Sequence, residues 1–263
     1  MAQVAKKSVV GRACQQAGSR ESVDKKQNTS LPTPHSPLPT GSQPLRMIAW
    51  EVTRACNLKC IHCRASAIDT PPPGELSTQE AFEFIDEVIS FSRPVIILTG
   101  GEPLLREDIF DIAEYGINKG LRIVMAPNGT LITSRVAKKI KELGIPRISI
   151  SLDGSSSQIH DAFRGVSGAF EGAVEGIERL KESKVSFQIN TTVAKRNVED
   201  LPSILQTVKK LEADAWHVFL LVPTGRGKEM EADELTPKEY ENTLNWLYEK
   251  QKEFGLFIKP TCA

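Results

Sequence analysis

The sequence has no surplus of either charge: 33 Lys and Arg are matched by 33 Asp and Glu. That balance gives no sign of a nucleic-acid binder or of a polybasic surface for anionic membranes. No run of eighteen apolar residues occurs, so no transmembrane helix is expected. Cysteine is scarce and odd in number, five in 263 residues, which excludes a small secreted domain stapled by disulfides. A chain of this length has room for one large core, or a core with a small appendage.

Residues 1–44 have few apolar groups and are rich in Ser, Gln, Lys, Pro and Gly. They read as a disordered tail, semi-extended in the Pro-rich part, because little burial offsets the ordering entropy. The first twenty residues carry Lys6, Lys7, Arg12 and Arg20 and no acid, as an organellar transit peptide does, but they form no clear amphipathic helix. Cys14, in this tail, reads as an incidental thiol.

From Leu45 strand-like and helix-like patterns alternate. Strands are expected at 47–53, 94–98, 121–125, 147–152, 185–193 and 216–222, with a short further one at 256–259. Between them lie amphipathic stripes: Phe82, Ile85 and Ile89; Ile109, Phe110, Ala113 and Ile117; Val136, Ile140 and Leu143; Phe170, Val174, Ile177 and Leu180; Ile204, Val208 and Leu211. Ser77 and Glu80 form a capping box, and Thr236 with Pro237 starts the last helix. Repeated strand–helix units imply a parallel sheet covered by helices, in short runs suited to burial on both faces. Periodicity alone does not separate a barrel from a doubly wound sheet. The polar clusters, however, all follow the carboxyl ends of strands, the end that a barrel uses for chemistry.

The densest cluster is Cys56-Asn-Leu-Lys-Cys60-Ile-His62-Cys63, on the loop leaving the first strand. Three thiolates on a short loop suit a [4Fe–4S] cube and leave one iron free for a ligand. Redox-buffering thiols, or a zinc site completed by His62, are the competing readings. Gly100-Gly101-Glu102-Pro103 follows the second strand, where glycines let backbone approach a ligand closely; an ordinary Gly-Gly turn with an exposed Glu is the plainer reading. Ser149, Ser151 and Asp153 share one side of the fourth strand, and Gln188, Asn190 and Thr192 one side of the fifth. Such polar rows imply ligand or ordered water. Arg164 suits a carboxylate clamp, or a surface pair with Asp161. Asp153 is open to a loop-capping role, and Asn128-Gly129 is also a plain turn pair. His160 reads as structural or exposed, and His217 as a satisfied core or rim histidine.

The CxxxCxxC spacing together with GGEP resembles the radical S-adenosylmethionine (SAM) superfamily. The resemblance implies a partial (β/α)6 barrel over 45–227, open at the side, with 228–263 beginning a C-terminal extension. It implies that Cys56, Cys60 and Cys63 hold three irons of a [4Fe–4S] cluster while SAM binds the fourth. One electron then splits the sulfonium, giving a 5′-deoxyadenosyl radical that abstracts hydrogen. By the same resemblance Gly100, Gly101, Glu102 and Pro103 meet the SAM amino group, and Ser151, Asp153 and Arg164 lie near its methionyl part or ribose. Asn190 and Thr192 approach ribose or substrate, and Val222, in the turn that runs on to Gly227, holds adenine. The family more often has Thr before Asn128; here it is Pro127, which has no N–H.

The segments Cys-Ile-His-Cys-Arg-Ala, Phe-Arg-Gly, Ile-Asn-Thr-Thr-Val and Phe-Leu-Leu-Val-Pro-Thr-Gly-Arg-Gly resemble a subgroup that modifies tetrapyrroles in haem d1 and alternative haem formation, acting on propionates or neighbouring positions. Peptide-modifying maturases with cysteine-rich C-terminal (SPASM-type) extensions share the architecture. A tetrapyrrole or peptide substrate, an electron donor such as ferredoxin or flavodoxin, and a reducing, cytoplasmic location follow as expectations. So does the expectation that the chain is a truncated form of such an enzyme, with Cys262 a first ligand of the missing region.

Overall fold

The computed structural model describes residues 44–262. Cys14 and the tail lie outside the described residues, as does the side chain of Cys262. Seven strands form one sheet: β1 (Met47–Thr53), β2 (Val95–Gly100), β3 (Arg122–Met125), β4 (Ile148–Ser151), β5 (Phe187–Val193), β6 (Ala215–Leu220) and β7 (Phe257–Cys262). Their spatial order is their chain order, and every neighbouring pair is parallel. A doubly wound sheet reverses its order at a switch point. No reversal occurs here, so the arrangement is that of a barrel wall, and among the described residues β1 and β7 are its edge strands.

Helices α1 (Thr78–Phe91), α2 (Ile109–Asn118), α3 (Ser134–Glu142), α4 (Ser157–Arg164), α5 (Ala169–Glu182), α6 (Leu201–Lys210) and α7 (Pro237–Phe254) connect the strands. The expected capping box at α1 is present: Glu80 N donates to Ser77 Oγ at 3.3 Å and Ser77 N donates to Glu80 Oε2 at 2.8 Å. The same reciprocal pair, Thr236 and Glu239, opens α7 behind Pro237. None of the helices among the described residues is long and apolar enough to cross a membrane.

The helices pack on one face of the sheet. Ile96, Leu98, Ile123, Met125, Ile148, Ile150, Ile189, Trp216 and Val218 form that face and share a core with Ile85, Ile112, Ile140, Ile177 and Ile204. Trp216 is fully buried, and its Nε1 donates to Thr191 Oγ1 at 2.8 Å. The other face is not the second apolar layer that the short strands suggested. In β4–β7 it carries Ser149, Gln188, Asn190, His217 and Lys259, the register partners of adjacent strands. Sequential right-handed crossovers explain this, since they put every helix on the same side and leave the inner face uncovered.

β1 spans the residues read from the sequence, and the other strand ends lie within two residues of that reading, except at β7, which runs on to 262 through Pro260. An edge strand tolerates that proline because its outer side needs no N–H. The structure also places a separate helix, α4, around Asp161 before α5.

Candidate active site

The cysteine loop leaves β1 at Thr53. Cys56 N donates to Ile68 O at 2.8 Å, and Ile68 N to Arg54 O at 2.9 Å, so the loop closes on itself. Cys56 and Cys60 are buried and Cys63 half-buried, all unbridged. Each sulfur receives an N–H: Leu58 N on Cys56 at 3.4 Å, Ala67 N on Cys63 at 3.4 Å, and Arg164 Nη1 on Cys60 at 3.6 Å. Donors aimed at sulfur suit thiolates that ligate iron. Burial pushes the free Cys56 thiol up to about 11. A bound metal would deprotonate it outright.

Two elements brace this loop from outside. On the α4 side Lys59 N donates to Arg164 O and Ile61 N to Phe163 O, each at 2.9 Å. On the β6 side Arg226 N donates to Cys63 O at 3.0 Å, its Nε to Cys60 O at 2.8 Å and its Nη1 to Ala67 O at 3.2 Å. Arg226, in the turn after β6, thus holds the cysteine loop through three backbone carbonyls.

GGEP locks onto the same loop. Gly101 N donates to Thr53 O and Glu102 N to Ala55 O, both at 2.7 Å. A Cβ on Gly101 would sit 2.1 Å from Ala55 O, so glycine here permits the approach of backbone to backbone. Glu102 is not the exposed side chain of an ordinary turn; it is fully buried. Its Oε2 accepts from Asn128 N at 2.6 Å and its Oε1 from Leu104 N at 3.0 Å. Burial outweighs those bonds and raises its pKa to about 7. Pro127 therefore costs nothing in this contact, because the N–H in use belongs to Asn128. Asn128 Nδ2 in turn donates to Asn57 Oδ1 at 2.8 Å, tying the third strand's loop to the cysteine loop. Asn57 was not singled out in the sequence, and its position after Cys56 is its only signal.

At the ends of β4 and β5, Asp153 Oδ1 accepts from Thr192 N at 2.8 Å, and Asp153 N donates to His160 Nδ1 at 3.0 Å. His160 is thus a buried structural histidine. Asp153 Oδ2 lies 2.5 Å from Arg164 Nη2 and 3.6 Å from His62 Nε2, neither aligned as a hydrogen bond. Burial works to raise the Asp153 pKa; Arg164, then His62 and His160, more than offset it and hold the carboxyl below its usual range. Burial pushes His62 down to about 4 against the pull of Asp153. Arg164 does not pair with Asp161 on the surface. Asp161 accepts from Gly168 N at 2.7 Å and Phe170 N at 2.8 Å, capping α5. Ser151, Asn190 and Thr192 are half-buried beside these groups, and Val222 is exposed at the end of β6.

Four buried polar atoms have no hydrogen-bond partner among the described residues: His62 Nδ1, Asp153 Oδ2, Arg164 Nε and Arg226 Nη2. All belong to residues on or against the cysteine loop. Asp153 Oδ2 is ion-paired with Arg164; the three nitrogens left unpaired in one place fit a polar ligand. No three His, Cys, Asp or Glu side chains among the described residues gather closely enough for a single metal ion. With His62 turned to Asp153, zinc on three thiols and His62 does not fit. A cube asks less, since it takes each sulfur on a separate iron, and the three donor-supplied thiols fit it. A cleft of about 410 Å³ beside β1, lined by Trp50, Arg54, Pro72, Glu75 and Arg106 among others, contains none of the cysteines or GGEP.

This arrangement, cysteine loop after β1 and GGEP after β2 on a sequential parallel sheet, defines a class, and comparison with known proteins agrees. Residues 50–208 match the radical SAM superfamily, and the chain belongs to it. Members of that superfamily bind a [4Fe–4S] cluster and SAM.

More particularly, the chain is 52% identical to an AdoMet-dependent heme synthase of Methanosarcina barkeri, over 83% of this chain and 62% of that protein. It is 51% identical to one of Oleidesulfovibrio alaskensis, over 86% of this chain and 58% of that protein. A pre-heme d1 synthase of Dinoroseobacter shibae is 35% identical over 74% and 48% of the two chains. The chain thus spans about three fifths of the length of its heme-synthase relatives. Among solved structures, anSMEcpe with bound AdoMet shares the fold with a TM-score of 0.66 at 23% identity, covering 82% of this chain and 64% of that one. Streptococcus suis SuiB bound to its precursor peptide SuiA shares it with a TM-score of 0.70 at 14% identity, covering 83% and 49%.

Proposed function

We propose that the chain is the catalytic core of a radical SAM enzyme that acts on a tetrapyrrole in haem formation. The observation that carries this is the identity of about half of all aligned positions to AdoMet-dependent heme synthases, across a segment that includes the whole candidate site. When bound, the cluster supplies the electron that cleaves SAM to methionine and the 5′-deoxyadenosyl radical, which takes a hydrogen from the substrate.

The residues divide the work. Cys56, Cys60 and Cys63 hold the cluster, and Arg226 and the α4 end fix their loop. Gly101 O and the Glu102 carboxylate receive the SAM amino group. A cation there would return Glu102 to its ionised form, against the burial that now favours the acid. Ser151 and Arg164 face the SAM carboxylate, which would occupy the unpaired Nε of Arg164. Asn190 and Thr192 take ribose or substrate, and the 222–227 turn takes adenine. A ferredoxin or flavodoxin delivers the electron, in the cytoplasm.

The test is anaerobic reconstitution with dithionite, SAM and either a propionate-bearing tetrapyrrole or a precursor peptide. Tetrapyrrole-dependent 5′-deoxyadenosine and a changed tetrapyrrole support the proposal. Turnover with peptide alone would transfer the reading to the maturases, to which the 31% identity with Mycobacterium tuberculosis mycofactocin maturase gives a foothold. SAM binding without cleavage would make the chain a cofactor-binding module that needs the remaining two fifths of its relatives' length.

A further inference from the structure

The inner sheet face holds a group of donors that the cofactor assignment does not use. Parallel register sets Asn190 beside His217 and His217 beside Lys259, and sets Gln188 two residues earlier on the same face. Gln188 is 8% exposed, and its Nε2 gives one hydrogen to Asn190 Oδ1 at 2.9 Å and contacts His217 Nδ1 at 3.0 Å. With both amides oriented this way, Gln188 Nε2 donates to His217 Nδ1, which leaves the ring proton on Nε2.

His217 is therefore a fixed neutral donor. Burial, and after it the charges of Lys259 and Arg147, push its pKa down to about 4. Arg147 spends its Nε on Ser186 Oγ at 3.3 Å, and neither cation meets a carboxylate among the described residues. An imidazole N–H and two unmatched cations make a group of donors without an acidic partner. Next to it are aromatic surfaces. Phe257 is 56% exposed with its ring 6.1 Å from that of His217, and Phe219 is half-buried two residues after His217.

We propose that His217, Lys259 and Arg147 bind a carboxylate side chain of the substrate on the inner face, with Phe219 and Phe257 against its apolar body. The occupant is a propionate-type side chain of a planar tetrapyrrole, because charge complementarity calls for an anion and the phenyl groups for a flat apolar frame. The substrate's identity rests on the function proposed above; the carboxylate wall rests on the geometry.

The experiment titrates the full, cluster-loaded chain with a metal-free porphyrin bearing four propionates and with its tetramethyl ester, in the same dilute detergent. Leaving out iron removes direct ligation by His217 as an explanation. The acid should bind at least about tenfold tighter than the ester, since hydrogen bonds to charged groups carry that much. K259Q, R147Q and H217A should each weaken the acid about tenfold and leave the ester alone, with visible cluster absorbance confirming folding. Equal binding of acid and ester, or variants that bind the acid unchanged, would overturn the wall.

If neither porphyrin binds, the tetrapyrrole reading fails by itself, and NMR then decides the wall. In histidine-labelled protein with the oxidised, diamagnetic cluster, His217 should be the Nε2–H tautomer and its Nε2 should shift with sodium propionate. That shift would keep the wall for a carboxylate of another substrate, such as a peptide. An Nδ1–H tautomer, or no shift, would overturn it whatever the porphyrin does.

Discussion

Gly101→Ala puts one methyl group into the tightest contact between the GGEP turn and the cysteine loop. The added Cβ would lie 2.1 Å from Ala55 O and 2.6 Å from Ala55 C, distances that real carbons do not reach. Backbone must move by about an ångström, because no flexible side chain stands in the way. The movement strains two bonds, Gly101 N to Thr53 O and Glu102 N to Ala55 O, each 2.7 Å long. Overpacking costs about 1–3 kcal/mol and the two bonds about 0.5–1.5 kcal/mol each if lost, so a loss of roughly 2–6 kcal/mol is expected. Displacing Ala55 also displaces Cys56 beside it, so iron loading should fall with stability. Urea unfolding gives the first quantity, and iron and sulfide content after anaerobic reconstitution the second. A Gly101→Ala protein with wild-type midpoint and iron content would refute the claim that this glycine serves the backbone approach.

Other perturbations separate the parts of the site. Alanine at Cys56, Cys60 or Cys63 should abolish visible cluster absorbance and 5′-deoxyadenosine formation; turnover in any of them would contradict the ligand assignment. Arg226→Gln removes the bonds to Cys60 O and Ala67 O, at a cost of roughly 1–3 kcal/mol, and should lower iron content. Lysine at the same position should recover only part, since it lacks the planar fork, and full recovery would count against it. Burial raises Glu102 from an ordinary 4.5 to about 7. Between those values the folded state holds a proton that the unfolded chain has released. Stability should therefore fall as pH rises from about 5 to 7, by up to about 3 kcal/mol. Glu102→Gln should flatten that slope in SAM-free protein, as read by denaturant midpoints, and an unchanged slope would place the titration elsewhere.

The order of elements was legible because each helix carries one apolar stripe and each strand a short β-branched run. Capping boxes such as Ser77 with Glu80 set helix starts almost to the residue, since the chemistry of a cap is local. Periodicity could not tell a barrel wall from a doubly wound sheet; strand order decided that, and it is a non-local property. The cysteines and GGEP stood out because their spacing is unusual for any purely structural loop. Arg226 and Asn57 did not, because each acts through partners far along the chain and a bare Arg or Asn carries no spacing signal. Asp153 and Arg164 were singled out one at a time. Their pairing, which sets the charge of both, appears only when the ends of β4 and α4 are brought together.

The most direct test of the central claim is electron paramagnetic resonance of the anaerobically reconstituted, dithionite-reduced chain, with and without SAM labelled with nitrogen-15 at its amino group. A reduced [4Fe–4S] signal whose g values shift on adding SAM, with nuclear coupling to the labelled nitrogen, is the predicted result: the three cysteines then leave an iron open to the cofactor. A zinc-containing or fully protein-ligated centre, with a spectrum indifferent to SAM, would contradict it.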